Sequence, residues 1–119
     1  MAIRDPIVLF IGDASVLSSL QFSLEIESFE TRVGSAGGPG PFPASALVID
    51  QGLLGHGLAA LEDLRAGGWS APAIVLATNP TSRMRARAAA AQVVLIEKPL
   101  QGGELGAAIH AALTPRKAA

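Results

Sequence analysis

Ala46-Leu47-Val48-Ile49-Asp50 is an unbroken apolar run closed by a carboxylate. So short a run reads as a strand buried on both faces, as in a parallel sheet. Three other stretches share its grammar. Ile7-Val8-Leu9-Phe10-Ile11 leads to Gly12-Asp13, Ile74-Val75-Leu76-Ala77 to Thr78, and Val93-Val94-Leu95-Ile96 to Glu97-Lys98-Pro99. Parallel strands end along one edge, and α/β folds bind ligands at that edge. Asp13, Asp50, Thr78 and Lys98 are therefore expected to converge there.

The 119 residues suit a single domain covering 1–119, and the 50% hydrophobic content supplies one core. A net charge of -1 lacks the basic footprint of a nucleic-acid-binding domain. The absence of cysteine excludes disulfides, Cys-ligated zinc and thiol catalysis. No apolar stretch approaches a membrane span, and residues 7–11 are too short for a signal-peptide core. The expectation is a cytoplasmic protein that contacts neither nucleic acid nor membrane.

Between the strands the spacing turns helical. Asp13-Ala14-Ser15 opens a helix through about residue 28, with Asp13 or Ser15 as its N-cap and Val16, Leu17, Leu20, Leu24 and Phe29 on one face. A second strand falls near residues 30–35. Residues 36–45 hold three Gly and three Pro, which rules out a regular helix there. A Gly-rich loop follows Asp50, and a helix over 58–66 stops at Gly67-Gly68. Asn79-Pro80-Thr81-Ser82 caps a helix over 82–91, built from Arg and Ala with Met84 and with Pro in its first turn. A final helix ends near Leu113, with Leu105, Ile109 and Leu113 in register. The order β-α-β-loop-β-α-β-α-β-α describes a doubly wound α/β sheet of five parallel strands.

Two carboxylates, a threonine and a lysine on one edge suit the handling of a phosphoryl group with Mg²⁺. That ion takes oxygen ligands from one or two carboxylates plus water and phosphate. An aspartate also serves as a nucleophile that forms an acyl phosphate. Each residue alone has a plainer role. Asp13 suits an N-cap, Thr78 a helix cap, and Lys98 a solvated loop charge. The joint pattern is what points to chemistry. A phosphatase of the haloacid dehalogenase type needs an acid two residues after the nucleophile, where this chain has Gly52. No G-x-G-x-x-G follows the first strand, which argues against a dinucleotide domain.

On these motifs, together with Leu20-Gln21-Phe22-Ser23-Leu24-Glu25, the chain resembles the receiver domain of two-component response regulators. This is the CheY-like (flavodoxin-like) fold, and the FixJ-type receivers look nearest. The resemblance covers nearly the whole chain. It implies strand order 2-1-3-4-5, with Asp50 accepting a phosphoryl group from a histidine kinase or phosphotransfer protein. It further implies Mg²⁺ held by Asp13, Asp50 and the Gly52 carbonyl, and Thr78 and Lys98 on the phosphoryl oxygens. Beyond its own phosphorylation and dephosphorylation, no enzymatic activity is implied.

The chain departs from that family at several places. Gly12 stands where a second acid is usual, which weakens Mg²⁺ binding. Leu95 stands where an aromatic switch residue is usual, and the chain has no Tyr. Leu53-Leu54 replaces a Met-Pro turn, and the Gly/Pro segment takes the place of the family's second helix. These departures motivate an alternative, a degenerate receiver acting as a phosphate-independent interaction module. With only a short polar tail after the last helix, a downstream protein partner is expected. The family's surface for a partner or a homodimer is its fourth helix (here residues 82–91), the fifth strand and the last helix. Arg83 and Arg87 share a face of that helix. Trp69 reads as a packing residue, and His56 and His110 as bystanders.

Overall fold

The computed structural model describes residues 5–34, 43–50, 57–98 and 103–113. The elements are β1 (Ile7–Phe10), α1 (Ala14–Ile26), β2 (Thr31–Val33), β3 (Ala46–Asp50), α2 (Gly57–Ala66), β4 (Ala73–Ala77), α3 (Ser82–Ala90), β5 (Val94–Glu97) and α4 (Glu104–Leu113). All strand pairs are parallel, and the sheet order is β2-β1-β3-β4-β5. This is the expected doubly wound architecture. The expected loss of a helix between β2 and β3 falls on residues 35–42, outside the described residues.

The apolar runs are unbroken because each strand feeds two cores. Successive side chains point to opposite faces of a sheet. Ile7, Leu9, Val48, Ile74, Leu76 and Ile96 pack with Leu20 and Leu24 of α1 and Leu105 and Ile109 of α4. Val8, Phe10, Leu47, Ile49 and Val75 pack with Leu61 of α2 and Ala88 of α3. Trp69 closes that second layer, with its ring edge-on to Phe10 at 5.6 Å. It is the packing residue that its position suggested. Burying one Leu or Ile side chain contributes about 1.5–3 kcal/mol, so the two layers together hold the sheet between the helices.

Three helices stop by the same device. Phe29 N–H bonds to Leu24 O, Trp69 N–H to Leu64 O, and Val93 N–H to Ala88 O, each at 2.9 Å. The residue just before each donor has a positive φ: Ser28 at 71°, Gly68 at 106° and Gln92 at 59°. This is the Schellman ending, in which a left-handed residue turns the chain and the next one docks an apolar side chain. Phe29, Trp69 and Val93 are all buried. The reading of Phe29 as part of the helical stripe is corrected here. α1 ends at Ile26, and Phe29 reaches the core from the turn.

The start of α3 also differs. Thr81 is the N-cap of α3 and accepts a bond from Met84 N–H at 3.0 Å. Pro80 therefore precedes the cap instead of sitting in the first turn. On α1, Phe22 and Ile26 lie off the buried stripe and are each 68% exposed.

Candidate functional site

The strand register builds the site. Phe10 pairs with Ile49, Asp50 with Leu76, and Leu76 with Ile96. One row across the sheet therefore runs Ile11, Asp50, Leu76, Ile96. Asp13, Thr78 and Lys98 each follow two positions beyond that row, at the carboxyl edge. The edge predicted from sequence is thus assembled from β1, β3, β4 and β5.

Asp50 ends β3 and is only 7% exposed, the single polar residue in the buried set of described residues. It follows Val48 on the face that carries α1 and α4. Lys98 follows Ile96 on that same face. Its backbone N–H bonds to Ala77 O at 2.7 Å, which fixes the turn after β5 against the end of β4. From there its side chain crosses β4. The Nζ lies 3.1 Å from both Oδ1 and Oδ2 of Asp50. A buried carboxylate is costly without a partner, and the ammonium supplies one. Lys98 is therefore no solvated loop charge.

Asp13 is exposed and caps α1. Its Oδ1 accepts from Ser15 N–H at 2.8 Å and from Val16 N–H at 3.1 Å. The plainer role foreseen for Asp13 is real, and it engages one oxygen of the two. Thr78 is exposed at the end of β4. The capping of α3 belongs to Thr81, so the plainer role foreseen for Thr78 falls away. Asn79 between them adopts φ 48°, turning the chain from β4 toward α3. Gly12 is exposed, and a Cβ built there meets nothing within 4 Å. Space does not forbid a side chain at that position.

The donor chemistry fits a magnesium ion. Asp13, in the turn after β1, and Asp50, at the end of neighbouring β3, offer hard carboxylate oxygens, and one or two carboxylates suffice for this ion. Gly52, the third expected ligand, and His56 lie outside the described residues. Among the described residues no group of three or more His, Cys, Asp or Glu side chains is placed to hold a metal. His110 is remote from the edge and packs against Phe29, with ring centroids 4.9 Å apart and the planes tilted by 48°.

Leu95 pairs with Val75 and packs half-buried in the α2/α3 layer, so it points away from Asp50. The arginines of α3 split between neighbours. Arg85 reaches Glu97 of β5 at 3.0 Å, and Arg87 reaches Glu62 of α2 at 2.8 Å. Sequence spacing paired Arg83 with Arg87 but missed both partners. Glu97, next to the site lysine, was the available clue. Arg65 was missed as well. Its Nη1 donates to Trp69 O at 3.0 Å and to Ala71 O at 2.6 Å, pinning the turn that leads into β4.

Neither a protein-family model nor a curated relative matches the sequence. Solved structures match closely in shape. A CheY-like response regulator receiver domain protein from Methanospirillum hungatei aligns at TM-score 0.80 and 19% identity, covering 93% of this chain and 94% of that one. A CheY-like response regulator from Mesorhizobium loti aligns at TM-score 0.70 and 23% identity, covering 92% and 99%. A structure described as adenylate cyclase from Rhodopirellula baltica aligns at 0.79 and 23%, covering 93% and 88%. The chain has the CheY-like receiver fold. At these identities the likeness speaks to fold, and function has to be argued from the site. No helix among the described residues is long and apolar enough to cross a membrane.

Proposed function

We propose that this protein is a response-regulator receiver in which Asp50 accepts a phosphoryl group from a phosphohistidine of a histidine kinase or phosphotransfer protein. The observation that carries the reading is the symmetric contact of Lys98 Nζ with both Asp50 oxygens, at 3.1 Å, on the carboxyl edge of a receiver-fold sheet. An Asp50 oxygen attacks phosphorus, the P–N bond of the donor breaks, and the imidazole leaves. Lys98 balances charge on the phosphoryl oxygens, and Thr78 offers a hydroxyl to one of them. Such a transfer depends on positioning and electrostatics more than on covalent chemistry. Asp13 and Asp50, with the carbonyl of Gly52, would hold Mg²⁺, which when bound neutralises charge on the transferring group.

The signal leaves by protein contact. Leu95 carries no aromatic ring to swing toward Thr78, so the output surface is read from α3, β5 and α4. There Arg83 is exposed and makes no ion pair among the described residues, and Val94 is 43% exposed. A downstream protein or a second copy of the chain would sit on that surface.

The test is intact-mass spectrometry after incubation with acetyl phosphate and MgCl₂, beside Asp50→Asn. A gain of one phosphoryl group that the variant lacks is the expected result. No gain from either acetyl phosphate or a phosphohistidine protein would move the reading to a phosphate-independent interaction module.

A further inference from the structure

We infer that the amino edge of the sheet carries a second binding site, a cleft that takes a small monocarboxylate with a short apolar body. The inference stands apart from the proposed role of Asp50, which lies at the opposite end of the strands.

The fold places the cleft. Ala73 and Val94 are the first residues of β4 and β5. Ala91 caps the end of α3, and Ala111 lies in the last turn of α4. Side chains no larger than valine leave these ends apart. Between them is a cleft of about 460 Å³, which Arg65 of α2, Ser70 and Gln92 also line. That volume falls in the range of small-molecule pockets.

Arg65 supplies the charge. Its Nη1 donates to Trp69 O at 3.0 Å and to Ala71 O at 2.6 Å, which holds the guanidinium half-buried against the turn before β4. Nε and Nη2 make no hydrogen bond, and Arg65 no ion pair, among the described residues. Nε and Nη2 together form an edge of the guanidinium that a carboxylate takes with both its oxygens. Pinning the turn thus leaves the recognition edge of the same side chain open.

Two features of the lining set the class of ligand. No acidic side chain lines the cleft among the described residues, so Arg65 gives it a single positive charge, the match for one carboxylate. Ser70 and Gln92 add neutral polar groups, too few donors to balance a phosphate dianion. The alanines and Val94 present apolar surface instead. Val94 is 43% exposed, and covering it favours a ligand with a few carbons behind its charge. The ends of α3, β5 and α4 meet here, so the ligand touches all three elements on which the proposed output surface is built.

The experiment titrates sodium butyrate into the full chain at constant ionic strength, reading the backbone amide shifts of Ser70, Ala73, Gln92 and Val94 by NMR. Acetate and hexanoate vary the apolar body, butyramide removes the charge, and inorganic phosphate tests the other anion. The expected result is saturable butyrate binding at about millimolar concentration, the range open to so small a ligand. Affinity should rise about two- to four-fold for each methylene the cleft covers. Butyramide should bind at least about ten-fold more weakly, and Arg65→Met should lose about as much, as a charge-assisted bidentate contact requires. Absence of saturable shifts at these amides would overturn the inference, as would butyramide binding as tightly as butyrate. Phosphate binding more tightly than every carboxylate would overturn the class of ligand assigned. Because Arg65 pins a turn, circular dichroism checks the fold of Arg65→Met, and Val94→Phe fills the cleft while leaving Arg65 in place. Unchanged butyrate affinity in either folded variant would place the ligand elsewhere and sink the proposal.

Discussion

Lys98 reaches Asp50 across an intervening strand. β4 lies between β3 and β5, yet Nζ meets both carboxylate oxygens at 3.1 Å. The Lys98 side chain is 31% exposed and that of Asp50 10%. Removing one member of such a pair strands the other. Lys98→Met should cost about 1–3 kcal/mol, below the figure for a fully buried pair because water reaches the lysine. The double variant Lys98→Met with Asp50→Asn should recover more than half of that loss. Urea unfolding followed by the fluorescence of Trp69 measures both. Additive losses would mean that the pair contributes nothing to stability.

The left-handed turns at Ser28 and Gln92 lead to a second expectation. Both residues hold φ values that cost a side chain free energy and glycine almost none. Gly68 already occupies the matching place after α2. Ser28→Gly and Gln92→Gly should each stabilise the fold by about 0.5–1 kcal/mol, partly offset by the greater freedom of glycine in the unfolded chain. The urea midpoint should rise with an unchanged slope. A lower midpoint would show that the side chains do something the turn geometry does not reveal.

These turns also mark where the sequence ceased to be legible. The sheet could be read because parallel strands buried on both faces leave long apolar runs, and four of five strands show one. The site residues could be read because each closes such a run. The end of α1 could not, since Ser28 carries no left-handed signature and no Gly or Pro stands between Leu24 and Phe29 to mark the stop. The Lys98–Asp50 contact could not, because it depends on register across three strands. The partners of Arg85 and Arg87 depend on how α3 packs, and helical spacing alone is silent on that. Thr81 and Thr78 both sit near a helix start, and only the bond to Met84 N–H separates cap from edge residue.

Gly34 gives a third prediction. It follows β2, and its N–H bonds to Leu9 O at 2.9 Å. A Cβ there would stand 2.5 Å from the Phe10 ring and 2.8 Å from Val8. Both are core residues with almost no exposure. Phe10 in turn carries Trp69, so the strain would pass into the α2/α3 layer. Gly34→Ala should therefore destabilise by about 1–3 kcal/mol, as overpacking does. The Trp69 emission should change with it. A neutral substitution with unchanged emission would mean that the edge strand shifts freely away from Phe10.

Asp13 does two things in this reading, and the two can be separated. As the N-cap of α1 it takes two amides on Oδ1, and asparagine can do the same. As a cation ligand it needs its charge, which asparagine lacks. Asp13→Ala should lose about 1 kcal/mol of stability along with any Mg²⁺ response. Asp13→Asn should keep most of the stability and still lose the Mg²⁺ response. Thermal unfolding with and without MgCl₂ distinguishes the cases, because a ligand that binds only the folded chain raises its midpoint. If Asp13→Asn retained the full magnesium-dependent shift, Asp13 would be a capping residue only, and the cation would have to be held elsewhere on the edge.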